Sequence, residues 1–276
     1  MEEKSILITG CSSGIGLTSA LALKERGYRV FASARKENDV ARLRAQGLES
    51  LQLDVNDKNS MQKALDQVLA LTGGKLDALF NNAGMLQAGA IEDLSRDQLR
   101  AQFETNVFGP MELVRLVLPI MRKQGQGRII QNSSILGIIT LPYYGAYNAS
   151  KFALEAFSQT LRQELRGTSI HVSLINPGPI TTQLRDNAYQ LYQQQRDQRV
   201  SSAHEKEYTR LEQTYFKKQK NNLSLPSSAV VKQLIHALEH PKPSTHYFVG
   251  RPAQSLALLH RLLPDCAMEW VLSKMK

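Results

Sequence analysis

Residues 6–16 read Ile-Leu-Ile-Thr-Gly-Cys-Ser-Ser-Gly-Ile-Gly: an apolar run of strand length, a glycine-rich turn, and the start of a helical pattern. Gly10 permits the tight turn, Gly14 lets the backbone come close to a pyrophosphate, and Gly16 lets helix and strand pack closely. The free N–H groups of Ser12, Ser13, Gly14 and Ile15, at the positive end of a helix dipole, suit phosphate oxygens. Glycine spacing alone is a weak signal, but strand, loop and helix in this order supply the context it requires. Cys11 is read as a small filler rather than a nucleophile. No base is evident beside it, although a helix N-terminus lowers a thiol pKa.

The alternation that begins here continues. Strand-length apolar runs at 5–9, 29–33, 48–53, 78–81, 128–133 and 171–176 alternate with helical patterns at 15–26, 37–46, 58–71, 98–124 and 147–166. The runs are apolar with little polar alternation, as befits strands buried on both faces. Such an order predicts right-handed crossovers and an α/β architecture, a doubly wound parallel sheet. Pro110 should kink or divide the 98–124 helix. After Pro179 strand patterning stops. Residues 183–220 hold eight glutamines, four tyrosines, eight basic and five acidic residues, which marks a polar helical excursion rather than core. The 183–225 stretch reads either as a surface insertion or as a lid over a substrate pocket, with Tyr189, Tyr192, Tyr208 and Tyr215 lining it or packing it down. A helix at 226–238 and a strand at 247–249 follow. The segment 253–276 is a leucine-rich amphipathic tail, and one domain is expected to span 1–276.

Composition narrows the function classes. Hydrophobic residues at 42% and charged residues at 21% are ordinary globular usage and argue against disorder. The net charge of +9 permits an anionic ligand. The densest basic stretch, Lys217-Lys218-Gln219-Lys220, lacks aromatic interleaving and reads as a solvated face, so nucleic acid is not expected as a partner. Cys11 and Cys266 form no disulfide framework, and no CxxC or other metal-ligand spacing occurs, so no metal is expected. No signal peptide or spanning segment is visible, which predicts a cytoplasmic protein.

The end of the second strand bears on which dinucleotide is held. An acid about twenty residues beyond the glycine turn would bond a ribose 2′-OH. Ala34 stands there instead, followed by Arg35. A small residue leaves room, and a guanidinium pairs with a 2′-phosphate through its fork of donors. The expected cofactor is therefore NADP(H).

Later residues complete a motif set. Thr9-Gly-x-x-x-Gly-x-Gly, Asn81-Asn82-Ala83-Gly84, Asn106, Ser134, Tyr147-x-x-x-Lys151 and Pro177-Gly178 occur in that order. Together they resemble the short-chain dehydrogenase/reductase family, which implies a Rossmann fold. The loop and the long C-terminal part are similar to its hydroxysteroid and retinol dehydrogenase branch and to bacterial NADP-dependent aldehyde reductases. The resemblance implies that Asn106, Ser134, Tyr147 and Lys151 are catalytic, with Asn106 holding a water that relays protons. It implies that Asp54 bonds the adenine amino group, that Asn82, Ala83 and Gly84 line the adenosine side, and that Pro177, Gly178, Ile180 and Thr182 meet the nicotinamide carboxamide. Asn176 departs from the residue usual before that Pro-Gly. The family's pairing helices correspond to 98–123 and 147–166, which implies a homodimer or tetramer.

The chemistry is consistent with elementary acid–base arguments. Residues 147 and 151 share one helix face. A phenol near pKa ~10 is a poor base, but a neighbouring ammonium favours the phenolate. Tyr147 can then give a proton to a carbonyl or take one from an alcohol. Of the adjacent serines on one strand, only one can face the site, and Ser134 has the family spacing. Leu136, Tyr143 and Tyr144 should form an apolar pocket for a hydrophobic carbonyl or alcohol substrate. The favoured reading is an aldehyde or ketone reductase. The alternatives are a hydroxysteroid or retinol-type dehydrogenase, a 3-oxoacyl reductase, and an NADP-sensing protein with little turnover. The tail is expected to pack on the body or a partner subunit rather than lie on a membrane surface.

Overall fold

The computed structural model describes residues 3–198, 201–213 and 224–274. Seven strands form its centre: β1 Ser5–Ile8, β2 Arg29–Ala34, β3 Glu49–Gln52, β4 Ala78–Asn81, β5 Gln126–Asn132, β6 Ser169–Pro177 and β7 His246–Val249. They lie in the order β3-β2-β1-β4-β5-β6-β7, and every pair is parallel. Winding reverses between β1 and β4, which opens a crevice at the carboxyl ends of the strands.

Helices cover both faces, as the strand composition requires. α1 (Gly14–Glu25), α2 (Glu37–Ala45) and α9 (Ser228–Glu239) pack against Ile6, Ile8, Val30 and Ala32. On the other side α3 (Lys58–Thr72) and α5 (Gly109–Gln124) meet Leu7, Phe31, Leu79 and Ile129. Alternate residues of one strand thus feed two cores, so both strand faces are predominantly apolar. Strand and helix ends agree with the sequence-based expectation to within two residues, apart from the 98–124 helix.

That helix is divided. α4 (Arg96–Phe103) opens with a capping box between Ser95 and Gln98, and a π-type turn over 104–108 separates it from α5. Pro110 in the first turn of α5 has no N–H, so the carbonyl of Asn106, four residues earlier, loses its helical donor. α6 (Gly145–Glu164) runs uninterrupted.

The excursion after β6 holds α7 (Leu184–Gln198) and α8 (Glu205–Leu211). The tail forms α10 (Arg251–Leu262) and α11 (Asp265–Lys274). Their inner faces, with Ala253, Leu256, Ala257 and Met268, bury against Ile135 and Ile139 after β5. Leu258, Leu262 and Trp270 are exposed. Among the described residues no helix is long and apolar enough to cross a membrane. Tyr215 and the Lys217–Lys220 run lie outside the described residues.

Candidate active site

The crevice opens into a cavity of 2430 Å³. A single small-molecule pocket occupies roughly 300–1,000 Å³, so there is room for a dinucleotide and a second ligand together. Every residue assigned from sequence to cofactor or substrate borders it except Gly16, and of the four catalytic candidates only Asn106 does not.

The glycine loop forms one wall. Gly10 and Gly14 adopt φ of +70° and +56°, in the left-handed region. A Cβ on Gly10 would stand 2.8 Å from Ala83 Cα, and one on Gly14 3.1 Å from Thr182 Cβ. The loop thus has no space for side chains where phosphate would approach. Gly16 lies behind it, where a Cβ would collide with the Gly10 carbonyl oxygen and the Asn82 amide. Gly16→Ala should therefore lower stability by about 1–3 kcal/mol and weaken dinucleotide binding. Thermal denaturation with and without NADPH checks it, and an unchanged melting curve in both would refute it. Burial pushes the Cys11 thiol up to about 12, and its Sγ donates to the Ile8 carbonyl at 3.3 Å. It is a filler, and burial outweighs the lowering effect of the backbone at Ser33.

Asn82, expected to line the adenosine side, borders the cavity and also holds its loops together. Its amide donates to the carbonyls of Thr9 (2.8 Å) and Gly10 (3.2 Å) and accepts from Asn132 at 2.9 Å. Thr9 Oγ1 accepts the N–H groups of Asn82 and Ala83, each at 2.9 Å. These bonds clamp the loops after β1, β4 and β5 around the switch point.

At the far end, exposed Arg35 has no side-chain ion pair or hydrogen bond among the described residues. Asp54 accepts the Asn56 N–H at 3.0 Å and borders the cavity. The sequence reading did not include Arg42. Its Nη2 donates to the Ser12 carbonyl at 2.7 Å, and it pairs with Asp39 at 2.9 Å. The signal for it was only the three-residue spacing from Asp39 on a helix, which any surface pair shares.

Tyr147 and Lys151 both lie in the cavity wall, buried, one turn apart on α6. Lys151 Nζ stands 5.7 Å from the Tyr147 ring centroid and donates to the Asn132 carbonyl at 2.7 Å. Burial lowers the Lys151 ammonium to about 8, against the charge of Glu155, which raises it. Ser134 Oγ accepts the Leu136 N–H at 3.1 Å, which leaves its own proton to donate outward. Ser133 Oγ lies instead beside Gly137. The Asn106 side chain is committed elsewhere. It accepts the Met85 N–H at 2.9 Å and donates to the Met85 carbonyl and Ser150 Oγ, each at 3.0 Å. A relay water on Asn106 would therefore have to use the backbone carbonyl that Pro110 leaves without a helical donor.

Apolar and aromatic residues line part of the remaining space, beside polar ones such as Gln183, Asn187 and Arg210. Leu136, Tyr143 and Tyr144 line it as expected, joined by Leu86, Leu141 and Ile139. Tyr143, at φ +67°, is the one non-glycine residue with positive φ among the described residues. This strained turn sets its ring 5.9 Å from that of Tyr208. Tyr208 donates to Asp93 Oδ2 at 2.6 Å and accepts the Ala90 N–H at 2.8 Å. Tyr192 and Tyr208 are buried, so they pack α7 and α8 down rather than face a ligand. Leu184, Ala188 and Leu211 of this excursion border the cavity. Sequence reasoning missed the opposite wall, where Pro252, Leu256 and Leu272 of α10 and α11 reach in. Their leucine spacing had indicated an amphipathic helix but not what it covers.

Comparison with known proteins agrees with this geometry. A family model described as short chain dehydrogenase matches residues 4–193. The uncharacterized oxidoreductase YbbO of Escherichia coli K12 is 42% identical over 270 residues, covering 98% of this chain and 94% of that protein. Human 17-beta-hydroxysteroid dehydrogenase type 1 is 33% identical over 277 residues, covering 96% and 82%. Among solved structures, a short-chain dehydrogenase/reductase from Burkholderia phymatum in complex with NAD superposes with TM-score 0.80 at 27% identity, covering 94% of this chain and 92% of that one.

Proposed function

The chain belongs to the short-chain dehydrogenase/reductase family, and from that premise we propose that it is an NADP(H)-dependent reductase of hydrophobic aldehydes or ketones. The observation that carries the cofactor preference is Arg35, unpartnered at the cavity edge beside Ala34, where an acid would repel a 2′-phosphate. Lys36 and Arg42 border the same end. Gly10, Gly14 and the loop N–H groups fit a pyrophosphate, Asp54 suits the adenine side, and Pro177, Gly178, Ile180 and Thr182, which border the same cavity, would meet the nicotinamide.

NADPH supplies the hydride when bound. The chain's own residues handle the oxygen. Ser134, its lone pair engaged by Leu136, keeps its proton and donates a hydrogen bond to the substrate carbonyl, stabilising the charge that develops there. Tyr147 donates the proton that converts the developing alkoxide to an alcohol. The Lys151 ammonium, oriented by the Asn132 carbonyl, stabilises the phenolate left behind. The apolar walls exclude water and favour substrates without charge.

The test is oxidation of NADPH and NADH against aldehydes, ketones and steroids at neutral pH. NADPH should be favoured. Arg35→Ser should reduce kcat/KM for NADPH by roughly 10- to 100-fold, the loss of one charge-assisted contact, with NADH little affected. Preference of the wild type for NADH would overturn the assignment. A hydroxysteroid or retinol-type substrate is the second reading, favoured by the 33% identity to the human steroid enzyme and by the added wall from α10 and α11. Faster turnover of a bulky secondary alcohol than of any aldehyde would select it. A cofactor sensor is disfavoured, because Tyr147 and Lys151 are both kept and adjoin in the cavity. Exposed Phe108 at the head of α5 and Phe157 on α6 suit the homo-oligomer proposed for this chain, which sedimentation velocity would test.

A further inference from the structure

A carboxylate that this mechanism does not use lies one helical turn beyond Lys151. Glu155 is 3% exposed, and a charge so buried is tolerated only when paired and hydrogen-bonded. Its Oε1 accepts from Asn176 Nδ2 at 2.5 Å, and its Oε2 meets His246 Nε2 at 3.0 Å. The same Asn176 amide group donates its other hydrogen to the backbone carbonyl of Ser134 at 3.1 Å. Asn176, which sequence singled out only as a departure before Pro-Gly, thus ties the serine that faces the substrate to Glu155.

The surroundings are built for this arrangement. A Cβ on Gly137 would stand 3.0 Å from Glu155 Cγ, so the glycine makes the space. Lys151 and Arg162, one and two turns away on the same helix, feel the charge of Glu155, and His246 pairs with it from β7. β6 contributes neutral Asn176, and the turn after β5 contributes the Ser133 hydroxyl and Gly137. His246 Nδ1 meets Thr245 Oγ1 at 3.1 Å, its ring stacks on Phe248, and its side chain is 23% exposed at the sheet edge. A continuous chain of hydrogen bonds therefore runs from solvent at β7 to the backbone of Ser134.

We propose that Glu155, gripped by Asn176 and His246, is a positioning residue for the redox site: through Asn176 it fixes the backbone that carries Ser134, and its charge holds the Lys151 ammonium. The activity readout rests on the reductase reading above. Asn176 acts on the serine and Glu155 on both groups, so their substitution separates the two effects.

Glu155→Gln keeps the shape and the acceptor for Asn176 but removes the charge. The Lys151 ammonium then loses the contribution that opposes burial. The alkaline limb of kcat/KM for carbonyl reduction should move down by roughly one pH unit, as for a charge lost one turn away. Glu155→Asp retains the charge on a shorter arm and should restore about half of that shift. Asn176→Ala should lower kcat by about tenfold and raise KM for the carbonyl, with the limb unmoved and NADPH affinity retained. [15N]lysine spectra that follow Lys151 Nζ, assigned with Lys151→Arg, should show the same downward titration in Glu155→Gln without any substrate. If the wild type reduces nothing in the panel, the reductase reading fails while this titration still judges Glu155. An Nζ titration equal in wild type and Glu155→Gln would overturn the proposal. So would a loss of kcat in Glu155→Gln that accompanies a lower melting temperature with an unmoved limb. If Glu155→Gln does not fold, Glu155→Asp with its retracted carboxylate must show an intermediate limb, and a limb identical to wild type would overturn it equally.

Discussion

Tyr147→Phe is expected to reduce kcat for carbonyl reduction by roughly 10²- to 10⁴-fold, the range that one positioned general acid supplies. The ring is buried in the cavity wall with Leu86, Ala88 and Tyr144 in its cluster, and phenylalanine fills the same space. Only the phenolic proton is lost. NADPH affinity, which the proposal assigns to the glycine loop and the Arg35 end, should remain within about twofold. Single-turnover kinetics with saturating NADPH, together with fluorescence titration of the cofactor, measure both quantities. A variant retaining more than a tenth of wild-type kcat would remove Tyr147 from the role of proton donor, because Ser134 would then have to supply it.

Lys151→Met has two opposite consequences. Turnover should fall by roughly 10²-fold or more, because the phenolate left on Tyr147 loses its stabilising charge. Stability at pH 7 should rise. The folded-state pKa of Lys151 is about 8 against an ordinary 10.5, so the folded protein resists protonation that the unfolded chain accepts. Between these values the unfolded state binds more protons, and wild-type stability increases with pH. Below pH 8 the burial penalty is present in full. Methionine removes it, for a gain of at most about 3 kcal/mol, less about 1 kcal/mol for the Asn132 carbonyl left without its donor. That advantage should shrink as pH rises from 8 to 10.5. Urea unfolding at pH 7 and pH 9.5 reads the difference directly. A methionine variant less stable than wild type at pH 7 would show that the Asn132 contact outweighs burial. A more stable but inactive methionine variant would mean that function is gained here at a cost in stability, as for a cation held in a dry site.

Much of this site was legible because its chemistry is encoded over short spans. Tyr147 and Lys151 are four residues apart, and any helix brings them together. Gly10, Gly14 and Gly16 lie within one loop, and the lack of an acid at Ala34 needs no tertiary knowledge. Even the break in the 98–124 helix followed from Pro110 alone. The role of Asn106 was less accessible. Its side chain is occupied by the backbone of Met85, 21 residues away, and only its carbonyl is affected by Pro110. Arg42 was missed because the contact that gives it meaning is the Ser12 carbonyl, 30 residues earlier.

By itself, then, the sequence determined the parallel sheet, the tight glycine loop after β1 and the adjacency of Tyr147 and Lys151, because each follows from backbone periodicity and steric rules acting on near neighbours. Only the tertiary structure decided that the C-terminal helices wall the cavity rather than cover some other face. It also decided that Glu155 pairs with His246, 91 residues away, and that Asn176 ties it to Ser134. An amphipathic face states that it must be buried, and a polar residue in a core states that it must be paired. Neither states against what, because the partner is selected by the packing of the whole sheet.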